Sequence, residues 1–323
     1  MFETLELVEF KGIKKCEKPL TFSRFTLLIG GNNTGKSSIL EALSFIPVPW
    51  PAYTSPILNE NKIHIFRWLH RDERSLVYRY AGSGIVSCKL EGNLFRVRFT
   101  PTGPQELVIN GQTIPPEIGP IIKTLDEKLT ADEINAYTLL IPNNNEFVNR
   151  LIDSLASNWS RVEKTGAHVR LVRQFVTKVV KDRYTELTVR DHEIMLRKEL
   201  HEDVAYIRLY DVGDGVERFL TVALWLEAIR PRVVLWDDLE AAAHPSLIRM
   251  VLKWLLSHRW QVIATTHSID VLHEFVLAEP DDAKVIQLVK SPDDVLSWRE
   301  LTLEELEELF NSGQDVRKLL RWK

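Results

Sequence analysis

Along the first residues, Leu5-Glu6-Leu7-Val8-Glu9-Phe10 alternates apolar and polar at period two, which predicts a strand with one buried face. Phe25-Thr26-Leu27-Leu28-Ile29 is instead a short apolar run, the pattern of a strand buried on both faces. A glycine-rich loop follows. From Ser37 to Phe45, Ile39, Leu40, Leu43 and Phe45 then fall at helical spacing, and Pro47, Pro49 and Pro51 end that helix. Strand, glycine loop and helix are thus predicted in that order.

Between about Ile63 and Ile114 the pattern becomes β-rich, with segments Ser75 to Tyr80, Ile85 to Leu90, Leu94 to Thr100 and Glu106 to Ile109. Gly82-Ser83-Gly84, Glu91-Gly92-Asn93 and Asn110-Gly111 separate them as turns, so an antiparallel meander is expected. From Pro116 to Leu200 the pattern reads as mostly helical and carries Arg161, Lys164, Arg170, Arg173, Lys178, Lys181 and Arg183. No exposed aromatics interleave these charges, so a solvated helix face is preferred to a nucleic-acid or partner surface. Near Gly213 a helix with Val216, Phe219, Leu220, Ala223 and Leu226 leads to the strand Val233-Val234-Leu235-Trp236, another helix, and the strand Gln261-Val262-Ile263-Ala264-Thr265. Strands alternating with helices predict a parallel sheet. The Glu- and Leu-rich tail from Leu301 reads as a short amphipathic helix, too short for a coiled-coil arm.

Composition narrows the class. The chain has 323 residues, of which 45% are hydrophobic, and 41 Lys+Arg against 45 Asp+Glu give a net charge of −4. Those values suit a soluble globular protein of two domains, or of one domain with a large insertion, and rule out disorder and collagen-like repeats. The near-neutral balance argues against a surface that coats nucleic acid. No apolar run approaches the ~18 residues needed to cross a bilayer, and Met1-Phe2-Glu3-Thr4 lacks the look of a signal peptide, so a cytoplasmic protein without membrane insertion is expected. Cys16 and Cys88 are far apart and form no CxxC, which disfavours disulfide and zinc frameworks.

Gly30-Gly31-Asn32-Asn33-Thr34-Gly35-Lys36-Ser37 fits G-x-x-x-x-G-K-[ST], between a predicted strand and a predicted helix. Triphosphate oxygens need many donors in a small space; glycines let backbone amides point inward, and the helix N-terminus adds its positive end. Lys36, read as an exposed loop lysine, supplies charge to the β and γ phosphates, Ser37 offers its hydroxyl to Mg²⁺, and Ser38 is left for the α phosphate. Such a site also needs a carboxylate at the end of a buried neighbouring strand, and Val233-Val234-Leu235-Trp236-Asp237-Asp238 has that form. Asp237 is assigned to the metal, through water, and Asp238 to the attacking water. Glu240 is the alternative base if the register is off by two. His267, in Thr266-His267-Ser268 at the end of the last strand, can donate to a γ phosphate. Histidines His192, His201 and His273 each precede a glutamate, but none has a second histidine four residues on, so a zinc-protease helix is rejected.

Together these residues resemble the ATP-binding-cassette (ABC) ATPases of the SMC and OLD (overcoming lysogenization defect) type, most nearly the stand-alone, AAA-labelled ATPases linked to repair or defence. Leu7-Val8-Glu9-Phe10-Lys11-Gly12 is similar to their opening strand, and Leu27 through Leu43 to their phosphate loop and first helix. Leu235-Trp236-Asp237-Asp238-Leu239-Glu240 with His244-Pro245 resembles their acidic strand, whose second acid is usually Glu, and Ala264-Thr265-Thr266-His267-Ser268 their switch histidine. Asp211-Val212-Gly213-Asp214-Gly215-Val216-Glu217-Arg218 stands where their signature would be, with Asp214 in the place of a common Ser and Val216 in that of a Gly. The resemblance implies that Asp214 and Gly215 reach the nucleotide of an opposite subunit, so that ATP joins two heads.

The implied fold is α/β, a P-loop NTPase of the ABC-head kind with a mixed core sheet, an antiparallel β subdomain and a helical insertion. Residues 1–46 and 201–300 would form the nucleotide-binding core, with the meander of about 60–115 as its β subdomain, 116–200 as the insertion and 301–323 as the C-terminal helix. The implied activity is Mg²⁺-dependent ATP hydrolysis coupled to homodimerisation, with DNA or a separate effector protein as partner, in DNA repair, maintenance or defence. A nucleotide-gated binding module with negligible turnover and the ATP-binding subunit of a membrane transporter are the alternatives. The glutamine that senses Mg²⁺ in such proteins has no clear counterpart: Gln105 lies in the wrong sort of segment, and Asn143-Asn144-Asn145 after Leu139-Leu140-Ile141 is a weak substitute that reads first as a turn.

Overall fold

A computed structural model describes residues 1–51, 53–241 and 243–313. Its centre is a run of strands buried on both faces, as continuous apolar runs require. Phe25–Gly30 pairs in parallel with Ala283–Lys290 on one side and Gln261–Thr265 on the other. Gln261–Thr265 pairs in parallel with Val233–Trp236, and that strand with Thr138–Ile141 at the edge. The register sets Trp236 beside both Ala264 and Ile141, so these strands end at one level. The loops that leave their carboxyl ends share one crevice, the usual location of a site in such a sheet.

The other half of the sheet is antiparallel, in the order Phe2–Phe10, Gly84–Leu90, Asn93–Thr100, Gly103–Ile109 and Gln112–Ile114. Ile13–Cys16 folds back on Phe2–Phe10 and runs parallel to Val295–Leu301, whose antiparallel partner is Ala283–Lys290. The sheet is therefore mixed and continuous. Glu91-Gly92 and Asn110-Gly111 each take two consecutive positive φ values (49° and 78°, 49° and 82°), which match hairpin turns to strand twist.

Two expectations need correction. Ser75 to Tyr80 is not a strand but two tight turns, Glu73–Leu76 and Tyr78–Tyr80. The Asp72 carboxylate accepts from Arg74 N and starts the first, while Arg79 and Tyr80 at φ 53° and 63° prevent extension. The stretch 116–200 is not wholly helical either. It holds helices such as Ile118–Leu125 and Asn145–Ser157, but Thr138–Ile141 belongs to the central sheet, and Tyr184–Arg190, Glu193–Glu199 and Val204–Arg208 form a separate antiparallel sheet. A short apolar run has no periodicity that separates strand from helix. Finally, the C-terminal helix spans Leu303–Asn311, opened by a capping box between Thr302 and Glu305; residues 314–323 of that expectation lie outside the described residues.

Candidate phosphate-binding site

The loop after Phe25–Gly30 is shaped by two glycines. A Cβ on Gly30 (φ 149°) would lie 2.6 Å from the Leu288 carbonyl oxygen, and one on Gly35 (φ 96°) 2.9 Å from Ile13 Cδ1. At Gly30 the fixed backbone leaves no room for a side chain, and at Gly35 the positive φ strains any other residue. The helix Lys36–Ser44 starts directly behind, with no side chain capping its first amides, which leaves them available to an anion. Contrary to the reading as an exposed lysine, Lys36 is 5% exposed. Its Nζ donates to the Gly30 and Gly31 carbonyls at 3.0 and 2.9 Å. Burial pulls its pKa down, against the pull of Asp238, Asp237 and Glu240.

Ser37 and Asp237, 200 residues apart in sequence, meet here: Ser37 Oγ donates to Asp237 Oδ1 at 3.1 Å. Thr265 Oγ1 donates to the same oxygen at 2.7 Å and accepts the Asp238 amide at 2.8 Å, so one hydroxyl fixes both acids. Burial pushes the Asp237 carboxyl above its ordinary value. Asp238 takes φ 49°. Its Oδ2 accepts from Asn143 Nδ2 at 2.9 Å, and its Oδ1 lies 3.9 Å from His267 Nε2. Glu240 Oε1 accepts the His267 backbone amide at 2.7 Å, while its buried Oε2 has no hydrogen-bond partner among the described residues. Lys36, Ser37, Asp237, Asp238, Glu240 and His267 are thus brought together. Asp214 and Gly215 are not. They open the helix Asp214–Ile229, and no hydrogen bond among the described residues joins them to the loop.

Arg218, from the same helix, is buried at 7% exposure and donates through Nη2 to the Pro142 carbonyl at 2.9 Å. Burial lowers its pKa, and the charges of Asp237 and Asp238 oppose that shift. Beneath the loop helix, Glu41 binds Lys11 Nζ, and its Oε1 accepts from His70 Nε2 at 2.9 Å when the imidazole carries its proton there. Burial pushes Glu41 up, but Lys11 and His70 more than reverse this, so it titrates below the usual carboxylate range. A cavity of about 380 Å³ opens beside Asn33 and Ser38, walled by Lys11, Tyr78, Arg79 and Lys290. Another of about 190 Å³ lies between Ser37, Asp237 and Asn143. Sequence reasoning missed Arg218, Glu41, His70 and the Tyr78-Arg79 wall. The one available signal was a charge on an otherwise buried helix, at Glu41 and at Arg218.

The donor set fits Mg²⁺. Among the described residues no three His, Cys, Asp or Glu side chains form a metal cluster. Ser37 and Asp237 offer one hydroxyl and one carboxylate in contact, and Mg²⁺ in nucleotide sites takes one or two such ligands with substrate phosphates.

The pattern of the family described as "AAA domain, putative AbiEii toxin, Type IV TA system" matches residues 97–272. A family described as a protein of unknown function (DUF2813) matches residues 1–53. No curated protein matches the chain in sequence. Among solved structures, an SMC head bound to the C-winged helix domain of ScpA superposes with TM-score 0.65 at 18% identity, covering 95% of this chain and 99% of that one. An SMC head domain from Pyrococcus furiosus, with an extended coiled coil and bound to the C-terminal domain of ScpA, gives 0.57 at 16%, covering 97% and 99%. The SMC head domain from Thermotoga maritima gives 0.54 at 14%, covering 93% and 99%. No helix of the described residues is long and apolar enough to cross a membrane. The glycine loop, the acid pair and His267 sit at the strand ends of a fold like that of SMC head domains, and the chain belongs to the AAA domain family whose pattern spans residues 97–272.

Proposed function

We propose that this chain is a Mg²⁺-dependent ATPase whose two copies associate across bound ATP. The observation that carries the reading is the contact of Ser37 Oγ with Asp237 Oδ1 at the mouth of the phosphate loop. Residues of the loop from Gly30 to Ser38 wrap the phosphates, with Lys36 turning from its carbonyls to the β and γ phosphates. Mg²⁺, when held by Ser37 and Asp237, supplies charge neutralisation between phosphates. Asp238 takes a proton from the water that attacks the γ phosphorus, the bond to the ADP oxygen breaks, and His267 donates to the γ oxygens. Asn143, at the edge of the smaller cavity, holds Asp238 in place. The base and ribose lie in the cavity walled by Tyr78 and Arg79. Asp238 reaches one methylene less far than a glutamate, which favours slow turnover.

The γ phosphate is open on the side away from the loop, and the helix Asp214–Ile229 of a second copy closes it. Its first amides have no side-chain cap, and Gly213 precedes them at φ 92°. The family description "putative AbiEii toxin, Type IV TA system", with the SMC-like fold, supports work in defence or DNA maintenance. Sedimentation of the Asp238→Asn protein with and without MgATP tests this, beside a phosphate-release assay on the unaltered chain. A two-fold dimer with MgATP that Gly215→Arg blocks, while each monomer still binds ATP, is the expected result. The same oligomeric state under both conditions overturns the dimer, and no phosphate release overturns the ATPase.

A further inference from the structure

On the side of the molecule reached by the helix Pro245–Leu256, an open groove of about 810 Å³ lies between that helix and the segment that ends in the helix Thr177–Val180. Ser246, Arg249, Met250 and Lys253 line one wall. Their spacing of three and four residues is one helix face. Phe175, Lys178 and Val179 line the other, at and after a π-helical turn over Val172–Val176; such turns cluster at functional sites.

The chemistry of the groove is one-sided. No residue lining it is acidic among those described, while Lys178, Lys181, Arg249 and Lys253 all face it. Glu274 holds the Arg249 guanidinium at 2.6 and 2.8 Å. Lys178, Lys181 and Lys253 are exposed and have no ion pair among the described residues. His244, whose side chain accepts from the Ser246 amide, caps the start of that helix and lines the same groove. Phe175, Val179 and Met250 meanwhile form an apolar floor.

We infer that this groove docks an acidic amphipathic helix of a partner protein, its apolar side chains on the Phe175, Val179 and Met250 floor and its carboxylates on the lysine rim. A nucleic-acid strand fits less well. Single strands are held by bases stacked on aromatic faces, and the only phenyl or indole ring in the groove among the described residues, Phe175, packs edge-on against Phe219 at 6.5 Å. Aliphatic and thioether floors with charged rims are what a helix in a groove uses. The wall from Ser246 to Lys253 is about 10 Å long at 1.5 Å per residue, enough for two turns of an occupant.

The test is fluorescence anisotropy on the full chain with a fluorescein-labelled, helix-stapled peptide that copies Leu303–Asn311, which alternates leucine with paired glutamates. A peptide of equal charge with its apolar residues replaced by serine and a labelled oligothymidylate are run beside it. Saturable binding of the first peptide is expected, weakened about tenfold by the combined Lys178→Glu, Lys181→Glu and Lys253→Glu changes, with the serine peptide at least about tenfold weaker. These lysines are exposed, so a retained melting temperature shows that the variant is folded. Absent saturation by the amphipathic peptide, equal binding of the serine peptide, or binding that the variant leaves unchanged each overturns the proposal. Oligothymidylate that binds more tightly than the peptide and is lost in the variant overturns it in favour of nucleic acid.

Discussion

Asn143 Nδ2 donates to Asp238 Oδ2 at 2.9 Å, joining the loop after the edge strand to the acid that follows the neighbouring strand. His267 Nε2 lies 3.9 Å from the other oxygen, beyond hydrogen-bond distance, so Asn143 is the side chain that fixes this carboxylate. Asn143→Ala should therefore lower ATP turnover about tenfold, the scale of one lost hydrogen bond, with ATP affinity nearly unchanged. Asn143→Asp, which replaces the donor with a second carboxylate against Asp238 Oδ2, should lower turnover further. Steady-state kinetics decide this; unchanged turnover in both variants would make the contact purely structural.

Asp238→Asn and His267→Ala should each retain MgATP affinity and lose about a hundredfold in turnover, typical of a general base or a transition-state donor. Glu240→Gln should be milder, since an amide oxygen can still accept the His267 backbone amide that Glu240 Oε1 now binds. Equilibrium nucleotide binding beside phosphate release separates the cases. If Glu240→Gln is inactive while Asp238→Asn turns over normally, the base is Glu240.

Lys36→Ala should lose ATP affinity by about a hundredfold or more, since a desolvated ammonium makes charge-assisted bonds to phosphate. Although Lys36 is buried, its partners are carbonyls of a loop whose Gly31 is exposed. Water can replace the ammonium there, so the melting temperature should shift by only about a few degrees. Calorimetric titration and thermal melting on the same samples test both halves, and wild-type affinity would remove the lysine from the site.

Glu41→Gln leaves Lys11 buried without its counter-charge and should cost about 3 kcal/mol of stability at neutral pH. The folded pKa of Glu41 lies below its ordinary value, so its contribution is present above the unfolded pKa near ~4.3 and lost as pH falls through the lower folded value. Urea melts of both proteins should differ most at pH 7 and converge below about pH 4. A difference independent of pH would show that the charge of Glu41 is not what stabilises.

Much of the site was legible because its signals are local. Gly30 to Ser37 announces a phosphate cradle by the backbone freedom that its glycines allow, and Val233 to Asp238 announces a buried strand ending in acids. Glu91-Gly92 and Asn110-Gly111 marked hairpins for the same conformational reason. Ser75 to Tyr80 misled because β-forming residues there sit between a capped turn and two residues of positive φ, which composition does not reveal.

By itself the sequence determined the strand, loop and helix of the candidate phosphate site, the acid strand, the histidine strand and the mixed α/β class. Each depends on backbone conformation and hydrophobic period within a few residues. Only the tertiary structure decided that Thr138–Ile141 lies beside Val233–Trp236, and with it that Asn143 meets Asp238. The Lys11, Glu41 and His70 cluster, the contact of buried Arg218 with the Pro142 carbonyl and the lysine-rimmed groove were likewise decided there. Their partners are far apart along the chain, and strand order, which carries no local signal in the residues, sets which side chains share a space.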